Sequence, residues 1–122
     1  MNNKEIAVAF LNHAASGQVR EAYQKFVHKD FTHHNAYFPG DRTSLLEGME
    51  QSAKQFPHKK YETLHAIQDG DLVAVHGRIR LSPMMQEIGV IHILRFKDNL
   101  IIEEWEAAQE VPKESPNKNG MF

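Results

Sequence analysis

The chain has 122 residues, enough for one domain with a buried core and too few for two. Its 16 acidic and 14 basic residues leave a net charge of −2, which argues against a nucleic-acid-binding surface. No apolar run reaches membrane-spanning length, and the N-terminal MNNKEIAVAF lacks the basic-then-apolar order of a secretion signal. The absence of cysteine excludes disulfides, thiolate nucleophiles and zinc–thiolate sites, and makes a cytoplasmic location the default expectation.

The first half of the chain has the periodicity of helices. Apolar residues at helical spacing predict a first helix that begins after an N-cap at Asn3 and stops at 16–17. The same spacing predicts a second helix over 19–26, followed by a short strand over 31–35. A Pro-Gly-Asp turn then places Asp41 as the N-cap of a third helix.

The second half of the chain switches to the alternation typical of strands. Four strand-like runs cover 61–68, 72–82, 87–96 and 100–109. They are paired around the turn sequences Asp69-Gly70-Asp71 and Lys97-Asp98-Asn99, which predict two hairpins. Together the elements predict an α+β domain with three helices on one face of a curved, mainly antiparallel sheet. Residues 110–122 are expected to form an extended polar tail.

Ionisable side chains fall among apolar ones on the last two strands. His92 lies in an apolar stripe, and alternation groups Glu104 and Glu106 with Ile102 and Ala108. Desolvation raises the pKa of a carboxyl group in such a stripe, which suits proton transfer near neutral pH. The open alternative is that both glutamates face solvent at a sheet edge.

Three segments of the chain carry a family resemblance. They read FTHHNAYFPGDRTSLLEGM, IGVIHILRFKDNLIIEEWEAAQEVP and, at the end, NKNGMF. They resemble the SnoaL-like polyketide cyclase branch of the nuclear transport factor 2-like superfamily, over nearly the whole chain. The resemblance implies a single domain over 1–122, a cone-shaped fold whose open end is a ligand pocket, and usually a dimer. Because the last two strands are apolar on both faces, we expect a homodimer through the sheet.

The resemblance also implies site residues on the last strands. The family's proton-transfer acid follows a tryptophan near the end of the last long strand, which matches Glu106 after Trp105. The family histidine before that tryptophan is replaced by Glu104. The preceding strand, which commonly reads Asp-x-Phe-Arg, here begins with His92. These departures look like an exchange of partners within one site.

The leading hypothesis is a cofactor-free enzyme that moves a proton next to a carbonyl group of a small hydrophobic substrate, as a cyclase, isomerase or lyase. Glu106 would be the general acid/base, with His34 and His76 donating hydrogen bonds to a developing enolate oxygen. His34 and Asn35 also match the family's Gln-His-Asn-Pro string. The expected substrate-binding residues are Asn35, His33, His92, Glu104, Arg78 and Trp105.

Two further hypotheses compete with the enzyme. The same pocket could belong to a non-catalytic binding or sensor domain, since one fold hosts many functions. A metal site would require four histidines to converge, namely His33, His34, His76 and His92. We expect neither a metal nor a cofactor, because the metal-binding motifs, glycine-rich phosphate loops and dinucleotide fingerprints are all missing from the sequence.

Overall fold

The computed structural model describes the whole chain, residues 1–122. Its elements are α1 (Asn3–Ala15), α2 (Val19–Phe26), β1 (Val27–His33), α3 (Arg42–Gln55), β2 (Lys60–Asp69), β3 (Leu72–Arg80), β4 (Ile88–Lys97) and β5 (Leu100–Glu110). The strands form one sheet in the order β1-β5-β4-β3-β2, antiparallel throughout except for the parallel pair of β1 and β5. The predicted α+β class, with three helices and a curved, mainly antiparallel sheet, is confirmed.

Local capping and turn chemistry explain where these elements begin and end. The N-cap of α1 is Asn2 and not Asn3, because the Asn2 side chain accepts from the Glu5 backbone at 2.8 Å and the Glu5 side chain accepts from the Asn2 backbone at 3.0 Å. Asp41 caps α3 as predicted, accepting from the Ser44 backbone at 2.9 Å. The second predicted hairpin turns at Asp98 and Asn99, both with positive φ, as a primed turn requires.

The first strand differs from its predicted position. β1 spans Val27–His33 and not 31–35, because α2 passes directly into extended backbone at Val27. β1 then lies parallel to β5, with His33 paired to Glu104. The loop that follows β1 therefore leaves the sheet beside the middle of the last strand.

A β-bulge on β5 decides which of its side chains face the core. Arg95 pairs with Glu103 and Phe96 pairs with Ile101, so Ile102 has no partner. Ile101 is fully buried and shares the helix-covered face with Glu104. The expectation that Ile102 lies on that face is wrong, because the bulge interrupts the alternation.

The two faces of the sheet have different surroundings. The inner face packs on the helices in a core that includes Phe10, Tyr23, Leu45, Val73, Val75 and Leu94. The outer face leaves Ile91 and Ile93 exposed at 42% and 37%. Residues 111–122 form no helix or strand, and the Phe122 ring packs 4.2 Å from the Arg78 guanidinium. None of the three helices combines the length and apolarity needed to cross a bilayer.

Candidate functional site

A cavity lies between the helices and the inner face of the sheet. Its volume is about 260 Å³, and ten of its 17 lining residues are hydrophobic. At ~30 Å³ per water molecule, that is space for about nine waters, or a ligand with a similar number of non-hydrogen atoms. Its polar side chains are Asn35, Ser52, Lys59, His92, Glu104 and Glu106, and Tyr61 adds a phenolic hydroxyl group. A wider depression of about 790 Å³ beside β1 and α3 has only two hydrophobic residues among eight and is open to solvent.

Three of these polar side chains meet at the inner wall of the cavity. Glu106 is the cross-strand partner of His92, and Glu104 is the cross-strand partner of Leu94. Because His92 and Leu94 are two residues apart on β4, the side chains of His92, Glu104 and Glu106 share one face of the sheet. His92 Nε2 lies 3.5 Å from Glu106 Oε1 and 3.7 Å from Glu104 Oε1. His92 and Glu104 are buried, at 7% and 4% exposure. We call His92, Glu104 and Glu106 the acid–histidine cluster.

The acid–histidine cluster separates the protonation states of its two glutamates. Burial is the main cause that raises the pKa of Glu104, to about 7, and the Glu106 carboxylate adds to the rise. Burial alone would also raise the pKa of Glu106, but His92 and Asn35 outweigh it and hold that pKa below 4.5. Burial would lower the pKa of His92, yet the two carboxylates raise it above 6.5. Near neutral pH Glu106 is therefore ionised and Glu104, with a pKa of about 7, holds its proton in part, while both carboxylates favour the charged form of His92.

This result corrects one prediction and supports another. Glu104 behaves as the apolar stripe indicated, because a buried carboxylate without enough compensating charge takes up a proton. The expectation of a raised pKa for Glu106 is wrong, because His92 and Asn35 stabilise its charged form. The alternative in which both glutamates face solvent at an edge also fails, since β5 lies between β1 and β4.

The loop after β1 brings an amide to the acid–histidine cluster. Asn35 Nδ2 donates to Glu106 Oε1 at 3.3 Å, while Asn35 Oδ1 accepts from the Tyr37 backbone at 3.0 Å. His33 lies behind this loop: its Nε2 donates to the Pro39 carbonyl at 2.7 Å and its Nδ1 accepts from the Asn35 backbone at 3.1 Å. Both ring nitrogens of His33 are thus used in holding the loop, and His33 does not line the cavity.

Four other predicted site residues lie on the opposite face of the sheet. His34 Nε2 donates to Glu103 Oε2 at 2.8 Å, and its ring stacks on Trp105 with centroids 5.1 Å apart. His76 stacks on His65, and Arg78 donates to Glu87 at 2.8 Å. The structure does not bring His34, His76, Arg78 or Trp105 to the cavity. For His76 and Arg78 the reason is register: Val75 pairs with His92, so His76 and every second residue after it on β3 point to the other face.

Two cavity residues carried no recognisable signal in the sequence. Lys59 Nζ donates to Ser52 Oγ at 2.7 Å inside the cavity wall. Lys59 stands beside Lys60 just before β2, where a pair of lysines normally indicates a solvated turn. Only the fold brings the end of α3 against the start of β2 at this point.

The four histidines of the metal hypothesis do not converge, since only His92 reaches the cavity. A different donor set exists, because one ligand atom each from His92, Glu104 and Glu106 lies within 4.8 Å of the others. Imidazole and carboxylate donors suit divalent cations. A metal-bound histidine normally donates its second ring nitrogen to a neighbouring group, and His92 Nδ1 has no such partner.

Comparison with known proteins identifies the family. A family model described as a SnoaL-like domain matches residues 7–104. The chain belongs to the SnoaL-like family. The matched region includes Asn35, His92 and Glu104 but ends just before Glu106. No curated protein sequence matches this SnoaL-like chain.

Solved structures share the fold of this SnoaL-like chain at low sequence identity. Wild-type IdmH, a "putative polyketide cyclase" from Streptomyces antibioticus, has 21% identity over 89% of this chain and 93% of its own, with a TM-score of 0.71. A "putative polyketide cyclase" from Acidithiobacillus ferrooxidans has 18% identity over 88% and 87%, with a TM-score of 0.73. An NTF2-like protein of unknown function from Cytophaga hutchinsonii has 13% identity over 89% and 91%, with a TM-score of 0.73. The resemblance and the nuclear transport factor 2-like fold that it implied are confirmed.

Proposed function

We propose that this SnoaL-like protein is an enzyme that moves a proton next to a carbonyl group of a small, largely apolar substrate, with Glu106 as the general base. The observation that carries the proposal is the acid–histidine cluster, whose two glutamates have pKa values displaced in opposite directions. Such a pair supplies an ionised base and a neutral acid at the same pH. Both side chains line a cavity in which ten of the 17 lining residues are hydrophobic.

The proton balance of the proposed reaction is simple. The Glu106 carboxylate takes a proton from the carbon beside the carbonyl, and the electrons of the broken C–H bond move into an enolate. The enolate oxygen receives a hydrogen bond from protonated Glu104, whose Oε2 has no partner within the protein. If Glu106 returns the proton to a different carbon, the substrate is isomerised. If the enolate carbon instead attacks a second carbonyl carbon, a ring closes and Glu106 protonates the new alkoxide.

The other polar groups of the site support this division of roles. His92, 3.5 Å from Glu106, keeps the base ionised between turnovers. Asn35 holds one Glu106 oxygen in place through its 3.3 Å hydrogen bond. Asn35 and His92 are therefore positioning residues, and Glu104 and Glu106 are the catalytic residues. General acid–base catalysis of this kind is worth on the order of 10²–10⁴ in rate.

The family supports a cyclase-type reaction more than an unrelated chemistry. IdmH and the Acidithiobacillus ferrooxidans protein are each described as a "putative polyketide cyclase", and both share this fold. Cyclisation and isomerisation begin with the same enolate, so the acid–histidine cluster is suited to either. The cavity of about 260 Å³ favours a substrate of roughly nine non-hydrogen atoms.

Proton exchange at carbon tests the proposal without knowledge of the natural substrate. We expect the wild-type protein to accelerate the exchange of the α-protons of cyclohexanone in D₂O, followed by proton NMR. Glu106→Gln should lower this protein-dependent rate about 100-fold or more. Glu110→Gln, at an exposed position of the same strand, is the matched control and should leave it unchanged.

Two outcomes of this experiment would contradict the enzyme. Full exchange activity in Glu106→Gln would exclude Glu106 as the base. Saturable binding of cyclohexanone with no exchange in the wild-type protein would favour the non-catalytic binding or sensor domain.

We also propose that a second copy of the chain covers the outer face of the sheet, and that the protein acts in the cytoplasm. The half-exposed Ile91 and Ile93 support the first proposal, because they continue an apolar face that includes Trp105 and Ala107. The lack of cysteine supports the second.

A further inference from the structure

The cavity contains a positive charge that the proposed proton transfer does not use. Lys59 lies just before β2, is half-buried, and lines the cavity together with Ser52 from α3. No other lysine or arginine lines this cavity. The acid–histidine cluster and Lys59 therefore give the cavity two different polar positions.

Lys59 has no partner of opposite charge. None of the ion pairs in the structure includes Lys59, and its single side-chain hydrogen bond is the 2.7 Å contact with Ser52 Oγ. An ammonium group has three N–H donors, so two remain available. A half-buried charge without an ion-pair partner is costly, and burial accordingly lowers the pKa of Lys59. An anion that entered the cavity would relieve this cost.

Ser52 completes a set of donors around the same point. Its oxygen accepts from Lys59, and its own hydroxyl proton has no acceptor within the protein. A carboxylate placed here could therefore accept from both the ammonium and the hydroxyl group, and both hydrogen bonds would be charge-assisted because the acceptor is ionised. The Glu106 carboxylate is near enough to counteract part of the lowering of the Lys59 pKa. One small ligand in the cavity could therefore contact both Lys59 and Glu106.

We propose that Lys59 and Ser52 bind a carboxylate carried by the substrate, so that the substrate is a small oxo acid whose carbonyl end reaches Glu106. The carbonyl part of this inference rests on the proposed function. The carboxylate would neutralise the one unpaired cation of the cavity and fix the distance between the anchored end and the carbon that loses its proton. Lys59 and Ser52 would then determine specificity and take no part in the proton transfer itself.

A matched pair of probes tests the anchor directly. Cyclohexanecarboxylate and its uncharged analogue cyclohexanecarboxamide have the same number of non-hydrogen atoms, roughly the capacity of the cavity. We expect the wild-type protein to bind the acid about tenfold or more tightly than the amide, measured by calorimetric or NMR titration. Lys59→Met should abolish this preference, and Ser52→Ala should reduce it. Lys60→Met, which removes the neighbouring exposed cation, should retain it.

Thermal unfolding shows whether the Lys59 variant is folded, and proton exchange tests the proposed base separately from the proposed anchor. Thermal unfolding of Lys59→Met should occur at or above the wild-type temperature, because an unpaired half-buried charge is removed. Glu106→Gln should keep the acid preference while it loses proton exchange. If Glu106→Gln keeps exchange, the proposed base is wrong, and the acid-to-amide ratio still decides the role of Lys59.

Three results would overturn the anchor. The first is equal affinity of the wild-type protein for the acid and the amide. The second is an acid preference that survives Lys59→Met in a folded protein. The third is the absence of saturable binding by the acid at millimolar concentration.

Discussion

Because Glu104 is buried, the stability of the protein should fall as pH rises, and Glu104→Gln should remove this dependence on pH. Glu104 is 4% exposed, and burial raises its pKa from 4.5 to about 7. Each pKa unit corresponds to ~1.4 kcal/mol, so ionised Glu104 costs about 3 kcal/mol of folding stability at high pH. Glu104→Gln keeps the shape of the protonated side chain and cannot ionise.

The sign follows from the proton count of the folded and unfolded states. Between the ordinary value of 4.5 and about 7, the unfolded chain has lost the Glu104 proton and the folded chain retains it. Stability therefore falls as pH rises through this window and levels off above it. The raised pKa of His92 acts in the same direction, since the stability that it contributes is fully present below 6.5 and is lost at higher pH. Glu104→Gln should remove the part that belongs to Glu104.

Urea unfolding at two pH values measures this difference. We expect the free energy of unfolding of Glu104→Gln, taken relative to that of the wild-type protein, to be higher at about pH 8 than at about pH 5 by about 2 to 3 kcal/mol. With urea slopes of ~1–3 kcal/mol per molar, the relative midpoint should move by about 1 M or more. Glu110→Gln, on the same strand but exposed, should show no such gain. An equal difference at both pH values would refute the reasoning, because the effect would then not come from ionisation of Glu104.

Three further predictions follow from the same geometry. Exchange activity should fall as pH rises through about 7, because Glu104 must be protonated, and Glu104→Gln, which cannot ionise, should show no such fall in an NMR-monitored pH profile. The activity should rise with pH as Glu106 ionises, and Asn35→Ala should move this rise to higher pH, because the Asn35 amide helps to keep the pKa of Glu106 low. An unchanged rise would exclude that role of Asn35. Ile93→Asp should convert a dimer into a monomer in light scattering, whereas Met84→Asp, exposed in the loop between β3 and β4, should not. A wild-type monomer would contradict the proposed interface.

Several elements of the fold could be predicted because their causes are local. Helical spacing and the Asp41 cap placed the helices, and the Lys97-Asp98-Asn99 sequence placed a hairpin whose turn has the expected positive φ values. The start of β1 was misplaced, because its strand character depends on pairing with β5, which is distant in the sequence. The pairing of β1 with β5 is set by the tertiary fold, so it leaves no local signal at the start of β1.

The candidate site was predicted only in part, for a related reason. Family resemblance and apolar stripes indicated Glu106, Glu104, His92 and Asn35, and the structure brings these four together. The same reasoning included His34, on the other face, because alternation within one strand cannot say how two strands are aligned.

The sequence by itself determined the class of fold, the family and the presence of ionisable groups among apolar ones, because composition, periodicity and motif spacing are properties of the chain. Only the tertiary structure decided what those groups do. The register of β4 and β5 places His92 against Glu106, and this contact holds the pKa of Glu106 down while burial raises that of Glu104. The packing of α3 against the start of β2 likewise turns Lys59 from an ordinary turn residue into a cation inside the cavity. Electrostatic interactions depend on distance and burial, and neither quantity exists until the chain has folded.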